Sequence, residues 1–185
     1  MSGEGYTNDP VLRQLQLALT GYGYNFYDKK NQARADDLLV RQKAAGSLED
    51  AVQVLIRLEA EFRRRFIPQA TRENPFPPAE AMDKWKEIGQ LKERISLLAS
   101  RIRGMPVPTQ DRTWARFRSE LPMLKQLLNF DLWLVNLTEG VFQHVTALTP
   151  ASWQEGPGQG EFDQQLGGLD NLIRDRQRFL LQMGG

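Results

Sequence analysis

The chain has no cysteine and only one histidine, His144. The absence of thiols excludes disulfides, thiolate catalysis, zinc–thiolate sites and cysteine-held iron–sulfur clusters. A single imidazole leaves almost no material for a histidine-based metal site, and the Glu-x-x-His motif of carboxylate-bridged bundles does not occur. Carboxylates alone can still bind a hard cation, and Asp36 with Asp37 is the candidate pair. Adjacent carboxylates on a helix point about 100° apart, so these two do not both ligate one ion without a third element. We therefore expect no metal and no cofactor.

Neither sign of charge is in excess, since 24 Lys and Arg face 23 Asp and Glu, for a formal net charge of +1. No global field draws the chain towards nucleic acid or an anionic membrane, so any basic site must be local. The N-terminal sequence MSGEGYTNDP lacks the basic start and apolar run of a signal peptide. The cytoplasm is therefore the expected location.

Long uninterrupted apolar runs are also lacking. The most apolar stretch, residues 123–148, includes Asp131 and Glu139. A central Asp costs about 2.5–3.5 kcal/mol on membrane-insertion scales. We therefore expect no membrane span.

Helical periodicity is the main positive signal. Residues 47–66 and 78–103 have apolar positions that alternate in steps of three and four, and this predicts a long antiparallel helix pair. Residues 123–148 are apolar on nearly every side, which requires surrounding helices. Their polar side chains form one thin line on the helical wheel, made of Asn129, Asn136 and Gln143. No run predicts a β-strand.

The predicted fold is an all-α antiparallel bundle of five to six helices around a central helix at 123–148. With 185 residues and 41% hydrophobic content, the chain fits one helical domain, 1–185, with a flexible N-terminus at 1–8. Asp9-Pro10 is typical of a helix start. Further predictions are a helix near 30–45 that ends at Gly46 and a flexible loop at 149–160.

Two single residues, Ser47 and Pro122, mark further expected helix boundaries. Ser47 is expected to cap a new helix after Gly46. A helix starting near Asp111 meets Pro122, but its apolar period continues beyond the proline. We expect a kink there, with a new helix as the alternative.

The segment 21–28 combines two glycines with four aromatic residues, among them Tyr22, Tyr24 and Tyr27. Aromatic rings on such a backbone suit stacking on a ligand or a partner. They suit equally the covering of one end of the bundle, and this second interpretation is favoured because buried aromatics contribute much stability.

Polar residues inside apolar stripes are the next candidates. Asp131 lies on the apolar side of the central helix, and a carboxylate in such surroundings can serve as a general acid. More often it pairs with a buried arginine, and Arg176 replaces an apolar residue in the stripe of the last helix. We therefore predict a buried Asp131–Arg176 pair. His144 is interpreted as a hydrogen-bonded structural residue rather than a ligand.

Charged pairs and arginine clusters are interpreted mainly as structural. Asp37 and Arg41 are spaced for an i,i+4 ion pair within a salt-bridge network at the surface or between helices. The arginines nearest to the 104–110 loop are candidates for contact with phosphate or an acidic protein surface: Arg101, Arg103, Arg112 and Arg116.

Together these features predict a non-catalytic helical interaction protein: an adaptor, assembly factor or regulatory subunit. Its anchors would be the three tyrosines, the arginines above, Phe76 and Trp153, since Tyr, Trp and Arg lead interface hot spots. One alternative is a nucleic-acid-binding helical domain that uses the arginines with Trp114. Another is an enzyme or small-ligand binder with an inter-helix pocket lined by Tyr24, Asp131 and His144. A homo-oligomer is left open.

Overall fold

The structure of the chain is a computed structural model that describes residues 9–20, 32–69, 71–72, 76–107, 111–156 and 159–183. The described residues form seven helices and no strand: α1 (Pro10–Thr20), α2 (Gln32–Phe66), α3 (Ala79–Arg103), α4 (Asp111–Ser119), α5 (Leu121–Thr146), α6 (Pro150–Glu155) and α7 (Gln159–Met183). The predicted all-α bundle is confirmed. The expected flexible N-terminus, 1–8, lies outside the described residues.

Two antiparallel pairs of long helices make the frame. In the α2–α3 pair, Glu59 contacts Lys92 and Glu49 contacts Arg103, so the residue numbers of the two helices run in opposite directions. The predicted long antiparallel pair is therefore present. In the α5–α7 pair, the contacts likewise run in opposite directions.

The two pairs pack with α2 alongside α5. These two helices are parallel. Asp37 on α2 and Asp131 on α5 both contact Arg176, and Ser47 on α2 contacts Glu139 on α5, so the residue numbers of both helices rise in the same direction. The helices α3 and α7 are parallel neighbours on the other side. Helices within each pair are therefore antiparallel, and helices that pack across the two pairs are parallel.

The helix α5 packs against α1, α2, α4 and α7, which confirms its predicted place among other helices. Its buried side includes Leu134, Val135 and Val141. The predicted polar line is exposed to solvent along the opposite side. One face of the central helix is therefore open.

The predicted break at Gly46 is wrong, because α2 runs without interruption from Gln32 to Phe66. Ala44, Ala45 and Leu48 are fully buried around the glycine, so the apolar stripe continues through it. A helical glycine costs only about 1 kcal/mol relative to alanine, which packing outweighs. Ser47 does not cap a helix; its hydroxyl lies 3.3 Å from the Lys43 carbonyl oxygen, one turn back.

The expected kink at Pro122 is a full break, so the alternative, a new helix, is correct. Glu120 has extended backbone angles, φ −107° and ψ 94°, and separates α4 from α5. Pro122 then falls in the first turn of α5, where its missing N–H needs no partner.

The expected flexible loop at 149–160 contains the short helix α6. Thr149 and Ser152 form a reciprocal cap at its start, and Gly156 ends it with φ 95°, a left-handed conformation that glycine adopts freely. Trp153 on α6 is only 1% exposed, and its Nε1 donates a hydrogen bond to the carbonyl oxygen of Lys84 at 3.0 Å. The helix α6 therefore packs against α2 and α3.

Among the described residues, no helix combines the length and the apolar character needed to cross a membrane.

Candidate functional site

The most unusual polar feature is a row of charged side chains that contact one another in the core. Arg176 on α7 donates from Nε to Asp131 Oδ1 on α5 at 2.7 Å and from Nη2 to Asp37 Oδ1 on α2 at 2.6 Å. Arg176 and Asp131 are 0% exposed and Asp37 is 1% exposed. The predicted Asp131–Arg176 pair is present, and Asp37 completes it from a third helix.

Arg41 extends this row of charged side chains to the end of α3. Its Nε lies 3.0 Å from Asp37 Oδ2, an ion pair rather than a well-aligned hydrogen bond. Its Nη1 donates to the backbone carbonyls of Met105 at 3.0 Å and Arg103 at 3.3 Å. Carbonyls at a helix C-terminus lack partners within the helix and carry the negative end of its dipole, so a guanidinium suits this position.

We call Asp131, Arg176, Asp37 and Arg41 the buried network. Within these four residues, two carboxylates face two guanidinium groups, so each buried charge has an opposite charge beside it. Guanidinium groups stay protonated and do not act as bases. All four side chains are buried. The arrangement suits a structural link between α2, α3, α5 and α7.

A second, half-buried cluster ties α1 to the frame. Asp9 Oδ1 accepts hydrogen bonds from the backbone N–H groups of Val11 and Leu12, which confirms the predicted helix start. Its Oδ2 lies 2.6 Å from Lys43 Nζ on α2, and the same Nζ lies 3.5 Å from Glu139 Oε2 on α5. One carboxylate therefore both caps α1 and anchors it to α2.

Both members of this pair have shifted pKa values. Burial raises the pKa of Asp9, but hydrogen bonds from Lys43 and from the two backbone N–H groups outweigh burial and place the pKa below its ordinary value. Burial lowers the pKa of Lys43, whereas Asp9 and Glu139 raise it, and the net pKa lies above its ordinary value. Both shifts favour the charged pair at neutral pH.

His144 is well separated from the buried network. It follows Asp131 by thirteen residues on one helix, which corresponds to about 20 Å along the axis. Its ring stacks on Phe162 with 4.2 Å between centroids, and its Nδ1 lies 3.2 Å from Gln165 Oε1. The structure therefore does not bring Asp131 and His144 into one pocket. Tyr24, the third residue of that predicted pocket, lies outside the described residues.

Three of the four arginines proposed for partner or phosphate binding contact carboxylates. Arg101 contacts Asp170, and Arg103 contacts Glu49 with 2.5 Å between Nη2 and Oε2. Arg116 pairs with Glu120 across one helical turn, and Arg112 is exposed on α4. Trp114, expected to assist nucleic-acid stacking, is 0% exposed. Its expected role is corrected, and nucleic-acid binding stays a prediction without a supporting feature.

The aromatic candidates divide into exposed and buried residues. Phe76 is 84% exposed, at the start of the segment leading into α3. Trp153 was expected to dock a partner, but its ring fills the core. The predicted docking role of Trp153 is therefore wrong. Tyr22, Tyr24 and Tyr27 lie outside the described residues.

Sequence reasoning missed Trp133, which is 59% exposed in the middle of α5. The signal was present, because Trp133 stands four residues after Asn129 and three before Asn136, on the exposed polar line. It also missed Lys43 as a partner of Asp9, since no sequence spacing indicates contacts between distant helices.

Among the described residues, no group of three or more His, Asp or Glu side chains is placed to hold a metal ion. Comparisons of the chain with models of known protein families, with curated proteins and with solved structures found no match. The function is therefore inferred from the geometry of the chain alone.

Proposed function

We propose that this chain is a non-catalytic helical interaction protein, an adaptor or accessory subunit, that binds a protein partner through an aromatic surface on α5. The observation that carries the proposal is the 59% exposure of Trp133, a large aromatic side chain on the open face of α5. Tryptophan is the side chain most enriched at interface hot spots, because it buries a large area at low entropic cost.

Trp133 does not stand alone on the surface. Phe130 precedes it by three residues and Leu137 follows it by four, so all three lie along one side of α5. Both neighbours are half-buried and pack against the core. Asn129 and Asn136 are exposed beside them and supply a polar rim. An apolar centre with a polar rim is the usual anatomy of a protein interface.

The chemistry of the polar clusters supports a non-catalytic role. The buried network holds its charges in internal pairs, and His144 is engaged by Phe162 and Gln165. Titratable groups that are paired inside the core serve packing and register more readily than turnover.

Phe76 offers a second, separate contact. It follows the end of α2 at Phe66, whereas Trp133 is at the level of Asp37 near the start of α2. The 35 residues of α2 span about 50 Å. The two aromatic residues therefore belong to different surfaces, as an adaptor requires.

The test is co-purification from the native source with Trp133→Ala, Phe76→Ala and a matched control, Leu181→Ala. Leu181 is 66% exposed on α7, so the control also removes an exposed apolar side chain. We expect Trp133→Ala to lower recovery of at least one specific protein by about tenfold or more, the effect of losing a hot spot. Quantitative mass spectrometry measures the recovery.

An unchanged urea midpoint for Trp133→Ala establishes that the variant is folded. If every protein recovered with the unmodified chain is retained at the same level by Trp133→Ala, the surface on α5 is not the anchor and this proposal fails. Equal losses with Leu181→Ala would also contradict it.

A further inference from the structure

We propose that the open face of α5 binds a second copy of this chain, with the two α5 helices packed antiparallel about a two-fold axis beside Asn136. This inference rests on the proposed function, because it names the partner of the Trp133 surface. Three features of the face support a second copy as the occupant: its lack of charge, the symmetric placement of its amides, and the position of Trp133 relative to Gly140.

The open face of α5 carries no charge over about six helical turns. Its exposed side chains from Gln126 to Thr146, a stretch that the structure describes in full, are Gln126, Asn129, Trp133, Asn136, Gln143 and Thr146. The carboxylates of the same stretch are engaged elsewhere, since Asp131 is buried and Glu139 contacts Ser47 on α2. Charged residues are depleted at the core of protein interfaces. A charged partner surface would be desolvated here without meeting an opposite charge, whereas a second copy brings an equally uncharged face.

The amide side chains of this face are placed symmetrically. Asn129 and Gln143 lie seven residues before and after Asn136, about 10 Å away on either side along the helix axis. A two-fold axis beside Asn136 therefore brings Asn129 of each copy level with Gln143 of the other, and Asn136 level with its own counterpart. Each amide has both donors and an acceptor, so two facing amides match each other. Such self-complementarity is the requirement of a two-fold interface.

The same axis places the largest side chain of the face opposite its smallest residue. Trp133 precedes Asn136 by three residues and Gly140 follows it by four, so they lie about 5 Å from the axis on opposite sides. A Cβ atom added at Gly140 meets no atom within 4 Å, so the space above this glycine is open to the Trp133 ring of the other copy. A parallel pair would instead bring each Trp133 against its own counterpart and leave both glycines uncovered. The antiparallel arrangement is therefore favoured.

The spacing keeps these residues in one line along the helix. The steps from Asn129 through Trp133, Asn136 and Gly140 to Gln143 alternate between four and three, the pattern of a helix-packing seam. Amides in such a seam lower the stability of the pair but fix its register and orientation. We therefore expect a dimer of moderate affinity with one defined alignment.

The first test is the oligomeric state of the full chain, measured by sedimentation velocity between about 1 μM and 1 mM. We expect a reversible equilibrium between monomer and dimer. Trp133→Ala should raise the dissociation constant of the dimer by about tenfold or more, because it removes the central aromatic contact of both copies.

The second test is a matched pair of glycine variants, Gly140→Leu and Gly168→Leu. Both positions are helical and meet no atom within 4 Å of an added Cβ, but Gly168 is on α7 and outside the open face of α5. Leucine favours a helix more than glycine does, so both variants should keep the urea midpoint of the unmodified chain or raise it. We expect Gly140→Leu to weaken the dimer by about tenfold or more and Gly168→Leu by less than about twofold.

The third test places charges at the axis itself. Asn136→Asp and Asn136→Lys each bring two like charges together in the dimer, so each variant alone should dissociate at least about tenfold more readily. An equimolar mixture of the two variants should regain association, because opposite charges then face each other across the axis. Sedimentation velocity of the mixture measures the recovery.

Three results would overturn the inference: a chain that is monomeric up to about 1 mM, equal effects of the two leucine variants, and no recovery of association in the mixture of Asp and Lys variants. A monomeric chain whose Trp133→Ala variant still loses a different co-purified protein overturns this inference and leaves the proposed function standing. A dimer that Gly140→Leu dissociates, with no different protein lost from Trp133→Ala, supports this inference and contradicts the adaptor role.

Discussion

Arginine–aspartate pairs occur in two surroundings in this molecule, the buried network and the exposed contact between α3 and α7. Arg176 lies 2.6–2.7 Å from its carboxylate partners in the core, and Arg94 lies 2.5 Å from Asp163 at the surface. The distances are nearly equal, but the Arg176 side chain is 0% exposed and that of Arg94 is 49% exposed. Distance alone therefore does not rank the two pairs.

Burial separates them energetically. Removing one partner of a buried pair leaves an uncompensated charge in a medium that solvates it poorly. At the surface, water replaces the lost partner at little cost. The Asp9–Lys43 pair lies between these extremes, with side chains 13% and 32% exposed. A graded series of stability effects follows.

The largest effect is expected for Arg176→Met, which keeps a flexible apolar stem but leaves Asp37 and Asp131 buried without a cation. The free energy of unfolding should fall by about 3–5 kcal/mol. Urea denaturation followed by circular dichroism measures this change. Arg178→Met on the same helix is the control, since the Arg178 side chain is 71% exposed. Similar losses for the two variants would remove burial as the explanation.

An intermediate effect is expected for Asp9→Asn. Asparagine caps a helix about as well as aspartate, so the substitution removes mainly the ion pair with Lys43. The free energy of unfolding at pH 7 should fall by about 1 kcal/mol, because the pair is only half-buried. The same urea experiment, repeated across pH, checks the result.

The pH dependence has a definite sign. Because folding lowers the pKa of Asp9, its stabilising contribution is fully present above the ordinary value of 3.8 and is lost as pH falls through the lower folded pKa. Folding raises the pKa of Lys43, so its contribution is lost only as pH rises through a pKa above 10.5. The stability advantage of the unmodified chain over the Asp9→Asn variant should therefore be constant from about pH 6 to 8 and vanish in strong acid. An advantage that grows on acidification would contradict this assignment.

The smallest effect is expected for Asp163→Asn in the exposed contact between α3 and α7. Its side chain is 58% exposed, so the free energy of unfolding should fall by less than about 0.5 kcal/mol, and less again in 1 M salt. Thermal or urea unfolding at two salt concentrations provides the measurement. A loss comparable to that of Arg176→Met would show that exposure does not set the order.

The sequence predicted the helices wherever apolar spacing was uninterrupted, as in α3, and failed where a single residue suggested a boundary. Gly46 indicated an end that packing overrides, because buried alanines continue the stripe on both sides. Pro122 indicated a kink, yet the chain breaks at Glu120. At Gly46, tertiary packing outweighs the low helix propensity of glycine. At Pro122, the backbone restriction of proline outweighs the apolar period that continues past it.

The candidate site was predictable in part. Arg176 interrupts an apolar stripe, and Asp131 does the same on α5, so the sequence alone supports their pairing. The contribution of Asp37 and the contact of Arg41 with the end of α3 depend on how four helices come together, which no spacing along the chain reveals. The tryptophans show the same limit: Trp153 in a loop-like segment is buried, and Trp133 in the most apolar helix is exposed.

The unbroken course of α2 has a consequence for how the molecule opens. This helix contacts α1, α3, α5 and α6, and it reaches from the buried network to the opposite end of the bundle. An amide proton beside Gly46, at a position of weak intrinsic helicity, is thus shielded by both antiparallel pairs at once. We expect that fraying of the helix ends does not expose it. We therefore expect the two pairs to separate together, as one cooperative unit, when this amide proton exchanges with solvent.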